Sequence, residues 1–411
     1  MNQKVENFIE RHKLSPENVN AQELISHIIS EMDAALAGKK SSMPMIDSMI
    51  NCNYEINSTE KVIVIDAGGT NLRTCIVTVQ GDSTPLISDF RKNRMPGSQS
   101  AVSASQFFSL LADEVEPLIE KSNRIGFCFS YPTEIFKSSY GIDGKLMFFS
   151  KEIEAQEVVG KKIGKELLDE LSRRGHDVHG KKLCLLNDTV ATLLAGLPSN
   201  KSTGTEGCVG IILGTGSNQA YIEGGKTIIN EEAGCFDFRL GDIDEEYQST
   251  TKKPDDYRFE KMISGAYLGP KALMIMQKAK DEGVLSATFT IPETFDTIAL
   301  STVLEGDFSA FGNFTGSDAS ALSDIFPEYV KRSAKLTATS LAASVLKSNY
   351  GTEKPVLINV DGTTYYKTKY LKEFTEKYLN EILSFYGRSA VFIGTENAPV
   401  IGSAIGALSL H

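Results

Sequence analysis

A glycine-rich turn between two charged residues follows the first apolar strand predicted from the sequence. The stretch Lys61–Asp66 ends in a carboxylate, Gly68 and Gly69 leave the turn without side chains, and Arg73 lies on the returning strand. Glycine lets backbone N–H groups approach an anion closely. An arginine can neutralise a transferring phosphoryl group, and a carboxylate can hold Mg²⁺. The turn could instead be an ordinary hairpin, because Gly-Gly is a common hairpin pair.

The same pattern occurs a second time, about 147 residues further along the chain. The apolar strand Gly207–Leu213 leads into the turn 214–217, and Asn218 heads the returning strand. Alone, this turn is equally well explained as a hairpin. Two such turns in matching positions indicate an internal duplication, whose two lobes could grip one polyphosphate from both sides.

Asp188 is the carboxylate best placed to accept a proton. It follows the predicted strand 182–186 and opens the predicted helix 188–196. Phosphoryl transfer depends on positioning and charge stabilisation, with one carboxylate taking the proton of the acceptor hydroxyl. Asp188 could instead have a purely structural role as a helix N-cap. A lysine such as Lys151 would keep a neighbouring carboxylate ionised, unless Ser150-Lys151 is only a surface turn.

Further polar residues are typical of a sugar site. Sugar hydroxyls donate and accept hydrogen bonds in pairs, and carboxylates such as Glu232 and Glu260 suit them. Each glutamate could instead lie on a solvated face, and Glu260 could pair along a helix. The segment 360–363 joins a strand to a Gly-Thr turn and could contact a nucleotide.

Strands that alternate with helices predict an α/β fold in two lobes. We expect a small domain of residues 62–187 plus 400–411 and a large domain of residues 1–61 plus 188–399. The predicted strands are 61–66, 72–79, 124–130, 182–186, 207–213, 218–223, 356–361 and 391–394. The predicted helices are 1–40, 105–122, 188–196, 257–282, 327–349, 368–386 and 400–410, and 38–61 is expected to be irregular.

Composition excludes several classes of protein. The 411 residues carry a net charge of -11, and an acidic chain repels nucleic acid. No apolar run is long enough to cross a bilayer, and the N-terminus lacks a secretion signal, so we expect a cytoplasmic protein without a membrane partner. The six cysteines form no CxxC pair, which favours reduced, buried thiols.

Taken together, the motifs resemble the eukaryotic-type hexokinase/glucokinase family, which has the two-lobed, duplicated ribonuclease H-like fold of actin-like ATPases with a cleft between a small and a large domain. IDAGGTNLR is similar to the family's D-L-G-G-T-N-F-R, GFCFSYP to G-F-T-F-S-F-P, and LLNDTVATLLAG to N-D-T-V-x-T-L. ILGTGSNQAYIE, RFEKMISGAYLG, VDGTTYYK and IGSAIGALS match later family segments in order.

The resemblance implies an ATP-dependent hexose kinase that phosphorylates the 6-hydroxyl of glucose or a related hexose with Mg²⁺. It makes Asp188 the catalytic base, with Lys151 and Arg73 also catalytic. The implied sugar ligands are Ser130, Pro132, Ser150, Lys151, Asn187, Asp188, Asn218, Glu232 and Glu260. The implied ATP ligands are Asp66, Gly68, Gly69, Thr70, Asn71, Arg73, Thr215, Gly362, Thr363 and Ser403. Asp66 and Asp188 would face Mg²⁺ through water and the ATP phosphates. We expect a monomer or homodimer.

Three departures from the family pattern leave the hexose open. NEEAGCFDF replaces N-T-E-W-G-A-F-G, FFSKEI replaces N-W-T-K-G-F, and Tyr131 replaces Phe. The hexose could therefore be fructose, mannose or an amino sugar instead of glucose. The chain could also be a sugar sensor without turnover, or an actin-like structural or chaperone ATPase. Asp188, Lys151 and Arg73 favour an active kinase, and the sugar-facing residues would have no role in an actin-like protein.

Overall fold

The computed structural model describes residues 2–52, 59–80, 85–149 and 153–410, and its strands form two sheets. The strands are β1 (Ile46–Asn51), β2 (Thr59–Ala67), β3 (Asn71–Gln80), β4 (Leu86–Arg94), β5 (Arg124–Phe129), β6 (Thr133–Ser138), β7 (Gly141–Leu146), β8 (Lys182–Leu186), β9 (Glu206–Leu213), β10 (Ser217–Glu223), β11 (Thr227–Asn230), β12 (Val356–Asp361) and β13 (Ala390–Ile393). The helices are α1 (Gln3–Arg11), α2 (Ala21–Leu36), α3 (Ala104–Val115), α4 (Ile163–Arg173), α5 (Asp188–Gly196), α6 (Asn200–Thr203), α7 (Asp242–Ser249), α8 (Glu260–Ile263), α9 (Gly265–Asp281), α10 (Thr297–Leu304), α11 (Gly316–Ser348), α12 (Thr363–Lys367), α13 (Leu371–Phe385) and α14 (Ala398–Leu408).

The two sheets share one topology, as the predicted duplication requires. The first sheet has the order β4-β3-β2-β5-β8, extended by β7 and β6. The second has the order β11-β10-β9-β12-β13, with β1 added at the opposite edge. In both, the first three strands pair antiparallel and the next two pair parallel. The β2–β3 and β9–β10 hairpins therefore occupy equivalent places, and the predicted repeat is confirmed.

Helices cover both faces of the first sheet because β2 is apolar on both sides. Ile63 and Ile65 belong to the core formed with α3 and α4, whereas Val62 and Val64 belong to a core shared with α5 and α14. Parallel strands buried on both faces read as continuous apolar runs rather than alternating ones. The helix α5, which carries Asp188, also packs on β9 and β12 of the second sheet. It is thus fixed between the two sheets.

Several predicted element boundaries are wrong. Residues 1–40 form α1 and α2 rather than one helix, because Ser15 caps a short 3₁₀ turn at Pro16–Asn18. The stretch expected to be irregular contains β1, whose residues pair with β11. The predicted helix 257–282 is interrupted at Ser264, which has extended backbone.

The largest difference concerns α11, which begins eleven residues before the predicted start at 327 and contains Pro327 within the helix. Thr315 and Asp318 form a capping box that satisfies the N-terminal backbone donors. A proline inside a helix costs about 3 kcal/mol. Burial of apolar residues on both sides of Pro327, such as Ile325 and Val330, offsets that cost.

The sequence did not predict β4, β6, β7, α4, α7 or α10. The strand β4 is almost entirely exposed and lacks the apolar alternation that would reveal it. The predicted division into two domains stays a prediction. Within the described ranges, the helices are too short or too polar to span a bilayer.

A buried ion cluster joins the helices of the second half. Asp244 on α7 contacts Lys271 on α9 at 2.7 Å and Arg332 on α11 at 2.8 and 3.0 Å, and all three side chains are 0 or 1% exposed. Arg332 also donates to the Lys13 carbonyl at 2.8 Å, which anchors the end of α1. Burial alone would raise the pKa of Asp244, but the two cations outweigh it and hold that pKa well below its usual value.

We expect Asp244→Asn to lower the free energy of unfolding by about 3–5 kcal/mol, because it leaves two buried cations without their counter-charge. Asp169→Asn is the matched control: its carboxylate pairs with Lys165 on the surface and is 51% exposed, so the change should cost less than about 1 kcal/mol. Urea denaturation measures both. Equal losses of unfolding free energy for the two substitutions would show that the buried cluster contributes no more to stability than a surface ion pair.

Candidate active site

The turn between β2 and β3 leaves two backbone donors available. The Gly68 N–H closes the turn on the Asn71 carbonyl at 3.0 Å, and the Thr70 carbonyl accepts from the Met95 N–H at 2.9 Å. Among the described residues, none accepts a hydrogen bond from the N–H groups of Gly69 and Thr70. A turn whose carbonyls are occupied and whose N–H groups are not is suited to an anion.

The carbonyls of this turn are held by the segment that follows β5. The Ser130 N–H donates to the Ala67 carbonyl at 3.2 Å. The Tyr131 hydroxyl donates to the carbonyls of Gly68 and Gly69 at 2.9 and 3.0 Å. Tyr131 therefore contacts both this glycine turn and a neighbouring pocket, a link that the sequence did not reveal.

Asp66 and Arg73 face each other across the β2–β3 ladder. They are register partners, and Arg73 Nη1 lies 3.1 Å from Asp66 Oδ2. Burial raises the pKa of Asp66, Arg73 opposes that rise, and the negative charge of Asp188 adds to it. The site therefore brings Asp66, Arg73 and Asp188 within electrostatic range of one another, as their predicted roles require.

Asp188 is the first residue of α5 but is not its cap. The side chain of Asn187 accepts from the Thr189 N–H at 2.8 Å and caps the helix. The purely structural interpretation of Asp188 is therefore wrong. Its half-buried carboxylate accepts only a long bond, 3.4 Å, from the Thr189 hydroxyl among its described contacts. Capping by the neighbour leaves the Asp188 carboxylate available at the helix N-terminus, where a negative charge is stabilised.

Asp361, the last residue of β12, is a third carboxylate near Asp188; it belongs to the predicted nucleotide segment 360–363 but was not singled out as a site residue. Burial and the charge of Asp188 raise the pKa of Asp361. A hydrogen bond from the Gly362 N–H and the charge of Arg73 lower it. Asp361 therefore lies within electrostatic range of both Asp188 and Arg73. Its position at the end of a strand equivalent to β5 could have identified it, since the glycine and threonine of the segment 360–363 already indicate a nucleotide contact there.

The second glycine turn is built around the end of β12. Gly362 has a φ of +126°, and a Cβ there would lie 2.3 Å from the Leu213 carbonyl oxygen, so only glycine fits. The Gly214 carbonyl accepts from the Gly265 N–H and from the Thr364 hydroxyl, both at 2.8 Å. Gly362 thus lies against the second turn, and the Thr364 hydroxyl supports that turn.

The predicted ATP contacts differ in exposure. Thr215 and Thr363 are exposed, so a ligand can reach them. Ser403 is fully buried in α14, donates its hydroxyl to the Pro399 carbonyl at 2.6 Å, and packs its backbone against Gly126 of β5. Ser403 therefore lies in the core in this structure, and its role as an ATP ligand stays a prediction.

A polar network holds Glu232 at the predicted sugar site. Asn230 Nδ2 lies 2.8 Å and Asn218 Nδ2 3.3 Å from Glu232 Oε1, and the two asparagines contact each other at 2.7 Å. Glu232 has a φ of 52°, a strained conformation for a residue with a side chain. Burial raises its pKa, the asparagines lower it, and Asp188 raises it. Strain and convergent polar groups are typical of a binding site.

Glu260 joins this network to the second turn. Its Oε2 accepts from the Ser217 N–H at 2.8 Å, and a Cβ at Gly216 would lie 2.6 Å from the same oxygen. Glu260 therefore contacts the backbone beside Asn218 rather than a helical i,i+4 partner.

A pocket between the two sheets contains several of these side chains. It combines polar groups from both halves of the chain with an apolar wall. Its lining residues are Ile46, Ser48, Tyr131, Pro132, Thr133, Ile135, Leu185, Leu186, Asn187, Val190, Asn230 and Glu232. Asn230 was not predicted as a site residue, although its place in the N-E-E segment could have identified it. Ser150 and Lys151 lie outside the described residues.

The residues present fit a magnesium–nucleotide substrate. The charge of Asp188 raises the pKa of Asp66 and of Asp361, and Arg73 lowers both. A divalent cation would relieve this repulsion. The described residues contain no group of three metal-ligating side chains, so such a cation would need ligands from phosphate and water.

Comparison with known proteins shows which family the chain resembles over its length. Two family models described as hexokinase match residues 4–197 and 208–409. Hexokinase-1 of Schizosaccharomyces pombe is 27% identical over 423 residues, which cover 92% of this chain and 85% of the relative. Glucokinase of Aspergillus niger is 26% identical over 419 residues, which cover 82% of this chain and 83% of the relative.

A solved hexokinase structure from Schistosoma mansoni, complexed with glucose, matches with a TM-score of 0.75 at 23% identity and 99% coverage of both chains. At this identity the likeness shows the fold. The chain therefore has the predicted two-lobed α/β fold of the actin-like ATPase type.

A buried carboxyl group lies directly behind the pocket. Glu231 is 0% exposed, and burial raises its pKa to about 8, although a hydrogen bond with Ser344 lowers it. The Ser344 hydroxyl lies 2.7 Å from Glu231 Oε1 and 3.0 Å from Gln219 Oε1. The Ser344 hydroxyl donates in both contacts. The residue that follows Glu231, Glu232, lines the pocket.

We expect Glu231→Gln to remove a pH dependence of stability. Because the folded pKa of Glu231 lies near 8 and the unfolded value near 4.5, its contribution is complete below pH 4.5 and is lost as the pH rises to 8. The loss is at most about 1.4 kcal/mol per pH unit. In denaturation experiments from pH 5 to 9, the free energy of unfolding of the variant should therefore increase relative to that of the wild type as the pH rises. Glu381→Gln, at a 59% exposed carboxylate, is the control and should keep the wild-type slope. Parallel profiles for Glu231→Gln and wild type would contradict the assignment.

Proposed function

The chain belongs to the hexokinase family and is an ATP-dependent hexose kinase, and from this premise we propose that it phosphorylates the 6-hydroxyl of glucose or a related hexose, with Asp188 as the general base. One observation carries the proposal. The charge of Asp188 raises the pKa of Glu232 on the sugar side and those of Asp66 and Asp361 on the phosphate side. Asp188 is therefore the carboxylate common to both halves of the site.

On the sugar side, the side chains supply paired donors and acceptors. Glu232 accepts from Asn218 and Asn230 and keeps its second oxygen for a hydroxyl group, while Asn187 lines the same pocket. Ser130, Pro132 and Glu260 adjoin this surface and complete the proposed sugar ligands. These contacts would orient the hexose so that one hydroxyl lies at Asp188.

On the phosphate side, the backbone N–H groups of Gly69 and Thr70 and the guanidinium of Arg73 would stabilise the charge on the transferring group. Mg²⁺, when bound, would neutralise phosphate oxygens beside Asp66, Asp188 and Asp361. Thr215, Gly362 and Thr363 lie at the second turn and would contact the nucleotide. Asn71, which donates to the Thr70 hydroxyl at 3.3 Å, would fix that side chain in the first turn.

The reaction then needs one proton transfer. Asp188 accepts the proton of the sugar's 6-hydroxyl while the oxygen of that hydroxyl bonds to the γ-phosphorus of ATP. The bond between the γ-phosphorus and the bridging oxygen breaks, and ADP leaves with that oxygen. Lys151 and Ser150 are proposed to lie near the same hydroxyl. We also propose a cytoplasmic location and a monomeric or homodimeric state.

The departures from the family pattern concern the sugar pocket rather than the transfer chemistry. Ala233 and Tyr131 lie at positions where the family carries other residues, and both are buried beside the pocket. Glucose is therefore the first hexose to test, followed by fructose, mannose and an amino sugar.

A coupled assay of ADP release over these four sugars tests the function. We expect turnover that depends on one or more of them, with ATP hydrolysis at least about a hundredfold slower when the sugar is absent. ATP hydrolysis that no sugar accelerates would exclude a hexose kinase. Sugar binding without ADP release would instead identify a sensor.

We expect Asp188→Asn to lower kcat by about 10²–10⁴-fold while the affinity for the hexose changes little, because only the base is removed. Asn187 still caps α5, so the helix should remain folded. Asp242→Asn is the matched control, since Asp242 is likewise the first residue of a helix but pairs with His12 outside the pocket. Activity of Asp188→Asn within tenfold of wild type would disprove its role as the base.

A further inference from the structure

Tyr131 lies where the sugar pocket, the first glycine turn and an aromatic cluster meet. Its ring lines the pocket beside Pro132 and Asn187. It packs against Phe129 and Phe149, with ring centroids 4.9 and 5.0 Å away. These contacts leave the tyrosine only 1% exposed. A side chain so enclosed has a fixed position from which its hydroxyl can act.

The hydroxyl of Tyr131 holds two consecutive peptide groups. It lies 2.9 Å from the Gly68 carbonyl oxygen and 3.0 Å from that of Gly69. Burial and the nearby charge of Asp188 raise the pKa of Tyr131, so the hydroxyl stays protonated and remains a donor. One proton is shared between the two acceptors, which keeps both carbonyls directed toward the ring.

Because peptide groups are planar, the hydrogen bonds from Tyr131 to the two carbonyls also fix the orientation of the Gly69 and Thr70 N–H groups. The Gly68 carbonyl and the Gly69 N–H belong to one planar trans peptide, and the Gly69 carbonyl and the Thr70 N–H belong to the next. In a trans peptide the N–H points opposite to the carbonyl. The two N–H groups turned away from Tyr131 are the same two that have no acceptor among the described residues.

Such a constraint is needed because the turn contains two glycines, which by themselves allow many backbone conformations. Without the hydroxyl, either peptide could rotate and direct its carbonyl toward the phosphate, which would repel it. In the family motif G-F-T-F-S-F-P, which this segment resembles, Phe stands at the position of Tyr131 and supplies no such hydroxyl.

We propose that Tyr131 is a positioning residue that orients the Gly69 and Thr70 N–H groups toward the ATP phosphates and transmits occupancy of the sugar pocket to that turn. The inference rests on the proposed function of the two sites. A hexose that contacts the Tyr131 ring restricts its movement and thereby restricts the turn. Sugar binding should accordingly strengthen nucleotide binding.

Tyr131→Phe tests this proposal, with Tyr329→Phe as the matched control. Tyr329 is also fully buried and donates its hydroxyl to a backbone carbonyl, that of Leu268 at 3.2 Å, but it lies on α11 away from the pocket. Calorimetry with the non-hydrolysable analogue AMPPNP, with and without glucose, measures nucleotide affinity independently of turnover. The other hexoses of the panel replace glucose if glucose does not bind.

We expect Tyr131→Phe to weaken AMPPNP binding by about three- to tenfold and to reduce the gain in affinity that the hexose produces. Its hexose affinity should stay within twofold of wild type, and Tyr329→Phe should change neither affinity by more than twofold. In the active enzyme the same pattern would appear as a raised KM for ATP with an unchanged KM for the sugar. Equal nucleotide affinities of Tyr131→Phe and wild type would overturn the proposal, even if the kinase assignment holds.

A measurement on the wild type covers the case in which Tyr131→Phe does not fold. Hydrogen exchange of the Gly69 and Thr70 amides should slow when the hexose alone is added, because the ring then holds the turn more firmly. Unchanged exchange of these two amides at saturating hexose would refute the coupling.

Discussion

The site depends on the confinement of several carboxylates in one partly buried space. Burial raises the pKa of Asp66, Asp361 and Glu232, and the charge of Asp188 raises the pKa of all three further. Such an arrangement is unfavourable unless cations and hydrogen bonds compensate it. Arg73 compensates Asp66 and Asp361, and two asparagines compensate Glu232. The divalent cation that accompanies a nucleotide would place positive charge near these carboxylates.

The duplicated fold explains how these groups come together. Asp66 and Asp361 each end a strand, β2 and β12, in the first and second sheets, and Asp188 begins the helix that follows β8. Because α5 packs on strands of both sheets, its N-terminus lies between them. Three carboxylates from three distant parts of the sequence are thus directed into one cleft. The glycines that join these elements allow the close approach: a Cβ at Gly362 would collide with the second turn.

Polar residues just behind the site hold its geometry. Asn187 caps α5 and so leaves Asp188 available for chemistry. Glu260 binds the backbone beside Asn218, Thr364 binds the second turn, and Tyr131 binds the first. Glu231 lies behind Glu232, where it accepts a hydrogen bond from Ser344 and burial raises its pKa to about 8. In each case the residue that could contact a substrate is positioned by a neighbour that is more deeply placed, as preorganised sites require.

The sequence by itself determined the elements whose signals are local. The strands 182–186 and 356–361 and the helix 188–196 were predicted with their observed limits, because a continuous apolar run or a capping residue marks each end. The glycine turns and the family motifs likewise indicated the chemistry. Tertiary structure alone decided which polar groups meet. It brought Asp361 within electrostatic range of Arg73, joined Asn230 to Glu232, and directed the Tyr131 hydroxyl to Gly68 and Gly69. It also buried Ser403 and carried α11 through Pro327, since both outcomes depend on contacts between residues far apart in the chain rather than on local propensity.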